Sequence, residues 1–519
     1  MGVPATRLAF AATHVESDRS NNSNCSGGIA VLKKITVTAI CAFALGATAM
    51  AQDAKTVIAN AQAALGNVKS ITYSGSAHDV AFQQCGANAT ELVCYGPHNP
   101  MRPLTGYVRV IDLAAPTSRH TGTTMNFGPG GSTTITPATF FQQVTAQQAD
   151  VSQPWAQSLE LYITPWGFLK GAAENAATAS RKNEGGKSYT MLSWSPKVKA
   201  PSGKGYTVNG YVNGDNIVER VETWVGEPIM GDMHIVATYT DWRDFGGGAM
   251  APTHIVQTRG GWPFFEVNVT NARGNPTDAA SLAPAPANAP AGPPGGGQPP
   301  ALTVTTEKLG DGVYRLTTGP GSYDSLVIEF KNYVMMLEAG QSIARGSAYV
   351  AETKKLFPTK PIRYVMNTHP HADHTGGLPA LVAEGATIIA QANAKEFFER
   401  ALNTPRTLLD DVLAKNPKRA KVETVDEKRV YTDGTRTVEF YHIYPAPHSN
   451  ALLIAYIPKE KILFQGDFSV IPGEPANDHV RALVPALEKL KLTDFDRYIN
   501  VHVSAAPQHK ADVWKAMGR

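Results

Sequence analysis

The sequence reads as an α+β protein in two unlike parts, a mainly antiparallel β domain followed by a region in which strands alternate with helices. Three observations carry this reading. Between residues 71 and 272, seven runs alternate polar with apolar residues, the period of a half-buried strand. Residues 277–301 are dominated by Pro, Ala and Gly. Beyond residue 313, apolar strand-like runs are separated by stretches with helical spacing. A chain of 519 residues exceeds what one core normally supports, so two domains plus extensions are expected. With 43% hydrophobic residues, 18% charged residues and a net charge of +3, nothing in the composition calls for a nucleic-acid partner.

Residues 1–51 read as a leader. Lys33 and Lys34 precede the apolar run Ile35 to Leu45, and Ala49-Met50-Ala51 offers the small residues a signal peptidase requires. A signal peptide over residues 31–51, cleaved after Ala51, and a periplasmic or secreted product are therefore expected. The apolar run is too short to span a membrane. Ile40 is not the small residue that a lipoprotein signal places before its cysteine, so Cys41 is not read as an anchor. Residues 1–30 lack periodicity, and Val31 is read as the start of translation. Removal of the leader leaves Cys85 and Cys94, an even pair suited to a disulfide in an oxidising compartment; two unconnected buried thiols are the alternative.

Residues 52–276 form the first expected domain. It opens with the amphipathic stretch DAKTVIANAQAALG, which places Val57, Ala61 and Leu65 on one helical face. The runs ITYSGSA, GYVRVIDL, GYTVNGYVNG, IVERVETWVG, MHIVATYTDW, THIVQTRG and FFEVNVTNA then read as an antiparallel meander, one face of which must be covered. This order, with Tyr239-Thr240-Asp241-Trp242-Arg243 inside the meander, resembles periplasmic lipoprotein-carrier-like half-barrels. Binding of a lipid or apolar molecule without catalysis is one function it allows. Residues 277–301 read as a linker able to reach up to ~75 Å, so no fixed interface between the domains is required.

Residues 302–519 change style. VYRLTT, YDSLVIEF, YVMMLE and PIRYVMN read as strands, with SIARGSAYVAETKKLF a helix between the last two. VEFYHI, ALLIAYI and KILFQGD repeat the pattern, a helix is expected over Val480 to Leu490, and YINVHV is expected to close the chain. Two sheets sandwiched between helices accommodate this order. The segment ANAKEFFERALNTPRTLLDDVLAKNPKRAK reads as two helices, rich in charge and Leu, forming a lid over the metals or a solvated helical insertion.

Directly after PIRYVMN comes Thr368-His369-Pro370-His371-Ala372-Asp373-His374-Thr375-Gly376-Gly377, with three imidazoles and a carboxylate inside six residues. Neutral imidazole and ionised carboxylate are the ligands that zinc prefers, and a strand-to-helix loop lets alternate side chains diverge toward two ions. Eight of the 14 histidines lie in this second domain. No G-x-S-x-G or H-E-x-x-H pattern offers a competing hydrolytic centre. His78, His98 and His254 are read as structural or solvent-facing.

The pattern His-x-His-x-Asp-His after a strand, followed by a later His, a Gly-Asp and a last His, resembles the metallo-β-lactamase superfamily. The resemblance covers about Thr303 to Arg519 and implies a four-layer αβ/βα sandwich with metals at one edge. Carried over by position, His369, His371 and His448 would hold one zinc ion, Asp373, His374 and His502 a second, and Asp467 would bridge both. His442 is the rival to His448, and His509 to His502. Glu338 stands where the family usually has an Asp, and Pro447, Val501 and Val503 replace glycines common beside the distal histidines. The implied reaction is hydrolysis of an ester, thioester or lactone in a small-molecule substrate by a hydroxide shared between two zinc ions, with Asp373 catalytic. Lowering the pKa of a water from about 15.7 to about 7 is on the order of 12 kcal/mol toward making that nucleophile. Asp467 stands where β-lactam-hydrolysing relatives generally have Cys or Ser, so β-lactams are a secondary expectation. The extra helical domain of glyoxalase-type relatives is not expected after His502, unless the segment from Lys395 to Lys421 substitutes for it. Iron is the alternative metal, with oxidation of thiols or persulfides as its reaction.

Overall fold

The alternating runs of the first half pair into one antiparallel sheet. The computed structural model describes residues 54–80, 101–127, 133–143, 155–284, 302–319, 323–446, 448–470, 475–502 and 508–518. The leader, Cys85, Cys94, Pro447 and Val503 lie outside the described residues. Helix α1 (residues 54–64) precedes strands β1 (Ser70–Asp79), β2 (Arg102–Asp112), β3 (Thr117–Phe127) and β4 (Thr133–Gln143). Helices α2 (Leu159–Tyr162) and α3 (Pro165–Glu174) follow; Pro165 at the first helical position and the Thr164 side chain, accepting from Gly167 N–H, start α3. Strands β5 (Thr178–Glu184), β6 (Lys187–Trp194), β7 (Val208–Val212), β8 (Val218–Glu227), β9 (Gly231–Asp244), β10 (Met250–Arg259) and β11 (Trp262–Gly274) complete the domain. The sheet order is β4-β3-β2-β1-β11-β10-β9-β8-β7-β6-β5.

The inward face needs cover, and helices supply it. Ala54, Ile58, Ala61 and Leu65 of the first helical segment are buried, with Val57 packed at its margin. Phe168 and Trp166 of α3 lie in the same core as Tyr73, Val221 and Ile235 from the sheet. Strands β3 to β6 escaped the sequence reading for identifiable reasons. Strands β3 and β4 are rich in Thr, and β4 carries Pro137, which is tolerated because β4 is an edge strand. Edge strand β5, TASRKNE, is exposed along most of its length and so lacks an apolar alternation.

Of the segment expected as a linker, residues 285–301 lie outside the described residues, and the part before them is folded. Helix α4 (Ala279–Leu282) packs on the first domain, with Ala279 and Ala283 against Val110, and Arg119 Nη1 donates to Pro284 O at 3.2 Å.

The second domain holds two sheets. The first contains β12 (Thr305–Gly310), β13 (Val313–Thr317), β14 (Ser325–Glu329), β15 (Val334–Leu337), β16 (Ile362–Met366), β17 (Thr387–Gln391) and β18 (Lys421–Val425) in that order. Its strands are antiparallel up to β15 and parallel from β15 to β18. Helices α5 (Ile343–Leu356), α6 (Ala372–Thr375), α7 (Leu378–Glu384), α8 (Lys395–Ala401) and α9 (Val412–Lys415) make its crossovers. The second sheet runs β19 (Lys428–Thr432), β20 (Thr437–His442), β21 (Leu453–Ile457), β22 (Ile462–Gln465), β23 (Arg497–Asn500) and β24 (Gln508–His509), with α10 (Asp478–Lys489) and α11 (Lys510–Ala516) outside it. YINVHV therefore does not close the chain: a two-residue strand and a helix, too short to show a period, follow it.

Strand periodicity assigns the layers. Leu326 and Ile328 of β14 and Met335 and Leu337 of β15 meet Val438, Phe440, Leu453, Ala455 and Phe464 between the sheets. The alternate residues Val327, Val334 and Met336 face the side of α5 and α7. Ile454 and Leu463 instead join Val480, Leu483 and Val484 of α10. The result is the four-layer sandwich of two sheets between helices. Buried on both faces, these strands read as continuous apolar runs.

The two domains dock, contrary to the expectation that they need not. Asp232 accepts from Thr407 N–H and Leu408 N–H, each at 2.9 Å, and its own N–H donates to Pro405 O at 2.6 Å. Arg406 Nη2 donates to Pro228 O at 2.8 Å; Arg400 donates to Gly260 O at 2.7 Å and lies 4.2 Å over the Trp262 ring. Trp262 also meets Phe397 edge-on. The segment read as a lid is therefore the seat of the first domain, because its Leu, Phe and Arg side chains are engaged there. Replacing Asp232 by Ala removes two charge-assisted hydrogen bonds to backbone. We expect a loss of about 1–2 kcal/mol in chemical denaturation and faster proteolysis within residues 404–411; unchanged stability and cleavage would show that this contact does not hold the domains.

Candidate metal centre

The motif loop leaves the C-terminal end of β16, where parallel strands place their functional loops. Asn367 Nδ2 donates to His374 O at 3.0 Å, closing the loop on itself. His371 takes the position before α6, and Asp373 and His374 lie within it. Gly377 is required by packing, since a Cβ there would meet Ala339 O at 1.9 Å. Gly466 is required for the same reason on the opposite sheet: its Cβ would lie 2.7 Å from Thr368 Oγ1. Asp467 follows β22 directly. His448 lies between β20 and β21, and His502 follows β23, held by Asn500 Oδ1 accepting its N–H at 2.8 Å.

All seven residues singled out in the sequence converge. His369, His371, His448 and Asp467 form one group, and Asp373, His374 and His502 another; within each group the ligand atoms lie within 4.8 Å of one another and can hold a metal ion. Asp467 faces both groups. Its Oδ2 is 2.8 Å from His448 Nε2 and 3.9 Å from His369 Nε2, while its Oδ1 is 2.8 Å from both His374 Nε2 and His502 Nε2. His369 Nε2 and His448 Nε2 are 3.1 Å apart, as are His374 Nε2 and His502 Nε2. Ligand nitrogens at ~2.0 Å from a tetrahedral ion stand roughly 3.3 Å apart, so the donor spacing suits one ion per group. Asp373 Oδ2 lies 3.6 Å from His374 Nε2 and 3.9 Å from His502 Nε2. The two rivals stand elsewhere: His442 Nε2 is bonded to Asn450 O at 3.0 Å, and His509 caps α11.

Burial sets the protonation of the free site. His369 and His371 are pushed well below the usual histidine range, first by burial and then by neighbouring imidazoles. They stand ready as neutral ligands. Burial also opposes a charge on His374, but the Asp467 and Glu338 carboxylates outweigh it and raise its pKa well above the usual value. Asp467 is held well below the usual carboxylate range because His374, His448 and His369 outweigh its burial.

Glu338 supports this arrangement. It is fully buried, accepts Thr368 N–H at 2.7 Å, and places its second oxygen 3.4 Å from His374 Nδ1. The carboxylate thus faces the ring nitrogen opposite the one that points into the site. Its φ of 66° is left-handed, held by Ser325 Oγ donating to Glu338 O and by Glu338 N–H donating to Met366 O, both at 2.8 Å. Two residues escaped the sequence reading. Tyr323 stacks edge-on against His502 with ring centroids 4.7 Å apart; burial first, and a hydrogen bond with Asp373 besides, push its hydroxyl up to about 12. His479 in α10 has Nδ1 3.1 Å from Asp467 O and its ring 4.8 Å from that of His448. Neither belongs to a spaced motif, so only the fold reveals them.

Residues 318–504 match the family model of the metallo-beta-lactamase superfamily, and the second domain carries the metallo-beta-lactamase fold. A curated relative, the 2,4-dinitroanisole O-demethylase subunit alpha of Nocardioides sp. (strain JS1661), is 26% identical over 205 residues, which are 38% of this chain and 58% of that protein. The match thus spans less than two thirds of the relative. Among solved structures, a metallo-beta-lactamase from Pontibacter korlensis is 16% identical with a TM-score of 0.32, covering 42% of this chain and 98% of its own. A metallo-beta-lactamase from Hirschia baltica is 20% identical with a TM-score of 0.31, covering 41% of this chain and 95% of its own.

An ion entering the second group must displace the proton that Asp467 and Glu338 keep on His374. Metal uptake by the chelator-treated chain should therefore release protons and weaken as pH is lowered. Calorimetry in buffers of different ionisation enthalpy measures this; heats independent of buffer would contradict it. Glu338→Gln should lower the affinity for one of two bound ions roughly 10–100-fold, read by competition with a chromophoric chelator.

Proposed function

We propose that the chain is an exported hydrolase with two zinc ions that cleaves an ester, thioester or lactone bond of a small-molecule substrate. The observation that carries this reading is the position of Asp467, which turns one oxygen toward each of two groups of imidazoles. In it, His369, His371 and His448 hold one ion, Asp373, His374 and His502 hold the other, and Asp467 serves both. When bound, a pair of zinc ions supplies Lewis acidity and a water acidic enough to attack a carbonyl at neutral pH. The chain's own part is to place and move protons. Asp373, on the open side of the site with its carboxylate partly exposed, takes the proton of the attacking water and returns it to the leaving group. Tyr323, kept protonated at neutral pH, donates to Asp373.

Export rests on the basic and apolar pattern of residues 31–51. Among the described residues, no helix is long and apolar enough to cross a membrane. A second reading, metal-dependent oxidation with iron, remains distinct in its metal and its oxygen demand. The curated relative is named for O-demethylation, which adds aryl methyl ethers to the bonds worth testing.

Protein purified without added metal, assayed against ester, thioester, lactone, β-lactam and aryl ether panels, tests the proposal. We expect about two zinc ions per chain, hydrolysis of a carbonyl substrate, and its loss in His371→Ala and Asp467→Asn. Asp373→Asn should lower kcat about 10²–10⁴-fold with little change in KM. Iron in place of zinc together with oxygen uptake would transfer the assignment to oxidation.

A further inference from the structure

The first domain holds a half-open cavity of about 290 Å³ on the covered face of its sheet, well away in sequence from the metal-centre residues. Its walls are aromatic. Tyr73, Tyr107, Tyr239, Phe264 and Phe265 line it, with Ile255 and Leu104 among them. Tyr107 is 1% exposed, and its hydroxyl makes no hydrogen bond of ordinary geometry. An apolar cavity of this size needs no charged group, yet four charged side chains and a histidine line it.

Two of the charges answer each other. Arg109, 4% exposed, donates through Nε to Ser118 Oγ at 2.8 Å and through Nη1 to Glu160 Oε2 at 2.9 Å, and its Nη2 reaches Glu160 O. His120 Nδ1 is also 2.9 Å from Arg109 Nη1; burial first, and that cation next, pull its pKa down to about 4, so it is neutral. Arg259 is different. Its Nε is buried without a hydrogen-bond partner, and among the described residues its guanidinium forms no ion pair; its contact is the Phe264 ring, 3.6 Å below. Burial lowers its pKa to about 10, so it stays cationic at neutral pH. Glu160 attracts it at longer range, but that carboxylate is already bonded to Arg109. Asp79 stands at the cavity's edge, at the end of β1, and has interactions of its own.

Arg259 is partly buried, lines the cavity and rests on an aromatic ring with no carboxylate of the described residues in contact, which leaves a cation open to a ligand anion. We infer that this cavity is a binding site for a small aromatic monoanion, its ring held among the Tyr and Phe side chains and its carboxylate or phenolate paired with Arg259. The size favours one or two fused rings, because the cavity sits at the lower end of the ~300–1,000 Å³ range of small-molecule pockets.

The test is calorimetric titration of the full chain with 2-naphthoate and with the neutral 2-naphthalenemethanol. Because a carboxylate also ligates metals, each titration is repeated after chelation, and only binding that persists counts. We expect one site per chain and at least tenfold tighter binding of the anion. Arg259→Met should bring the two probes within about threefold of each other. Ile255→Trp, which fills the cavity while leaving Arg259 in place, should abolish both. Absence of saturable binding by the chelated wild-type chain, equal affinity for the two probes, or an anion preference that survives Arg259→Met would overturn the inference. The wild-type comparison stands by itself should a variant fail to fold.

Discussion

The second domain is organised around a single desolvated carboxylate. Asp467 lies within 2.8 Å of three imidazole nitrogens brought in on three different loops. The protonated His374 beside it, first among its neighbours, holds it ionised against burial, and the carboxylate's charge in turn keeps His374 protonated until something more positive replaces the proton. Such a cluster does not assemble by local preference. Each loop must be delivered by a strand whose register is fixed, because a slip of one residue would turn every side chain to the other face.

The sandwich supplies that register. Met366, at the end of β16, and Phe464, in β22, are buried in the same inter-sheet core, and the loops that follow carry His369 and Asp467. The centre thus sits where two sheets end together. Close contact between Gly466 and Thr368 seals the join, leaving no room for a side chain between the strands' exits. Glu338 fastens the third exit, that of β15, to the motif loop through Thr368 N–H.

Much of this was legible beforehand, and the division follows physics. The ligand residues announced themselves because metal binding demands particular side chains, and three of them are crowded into one loop. The distant members were identified by the family resemblance, which places a histidine before a new strand, a Gly-Asp at a strand end and a last histidine. Glu338 was read as standing where the family usually has an Asp, and its burial and its contact with His374 show why a carboxylate is there. Tyr323 and His479 carried no signal, since their relation to the site is purely spatial. In the first domain, strands with one face in the core were readable, whereas the Thr-rich strands β3 and β4 and the exposed edge strand β5 were not. The lid expected over residues 395–421 failed for a related reason: apolar residues declare that a surface will be covered, but not by what.

That covering has a consequence for the chain as a whole. Leu408 and Phe397, 6% and 3% exposed, belong to the second domain in sequence, yet they lie in one continuous core with the first domain's sheet. A fragment beginning after the Pro-rich segment would bare this greasy shelf to water and invite self-association. Each half is therefore the other's shield from water, through a core that neither closes by itself.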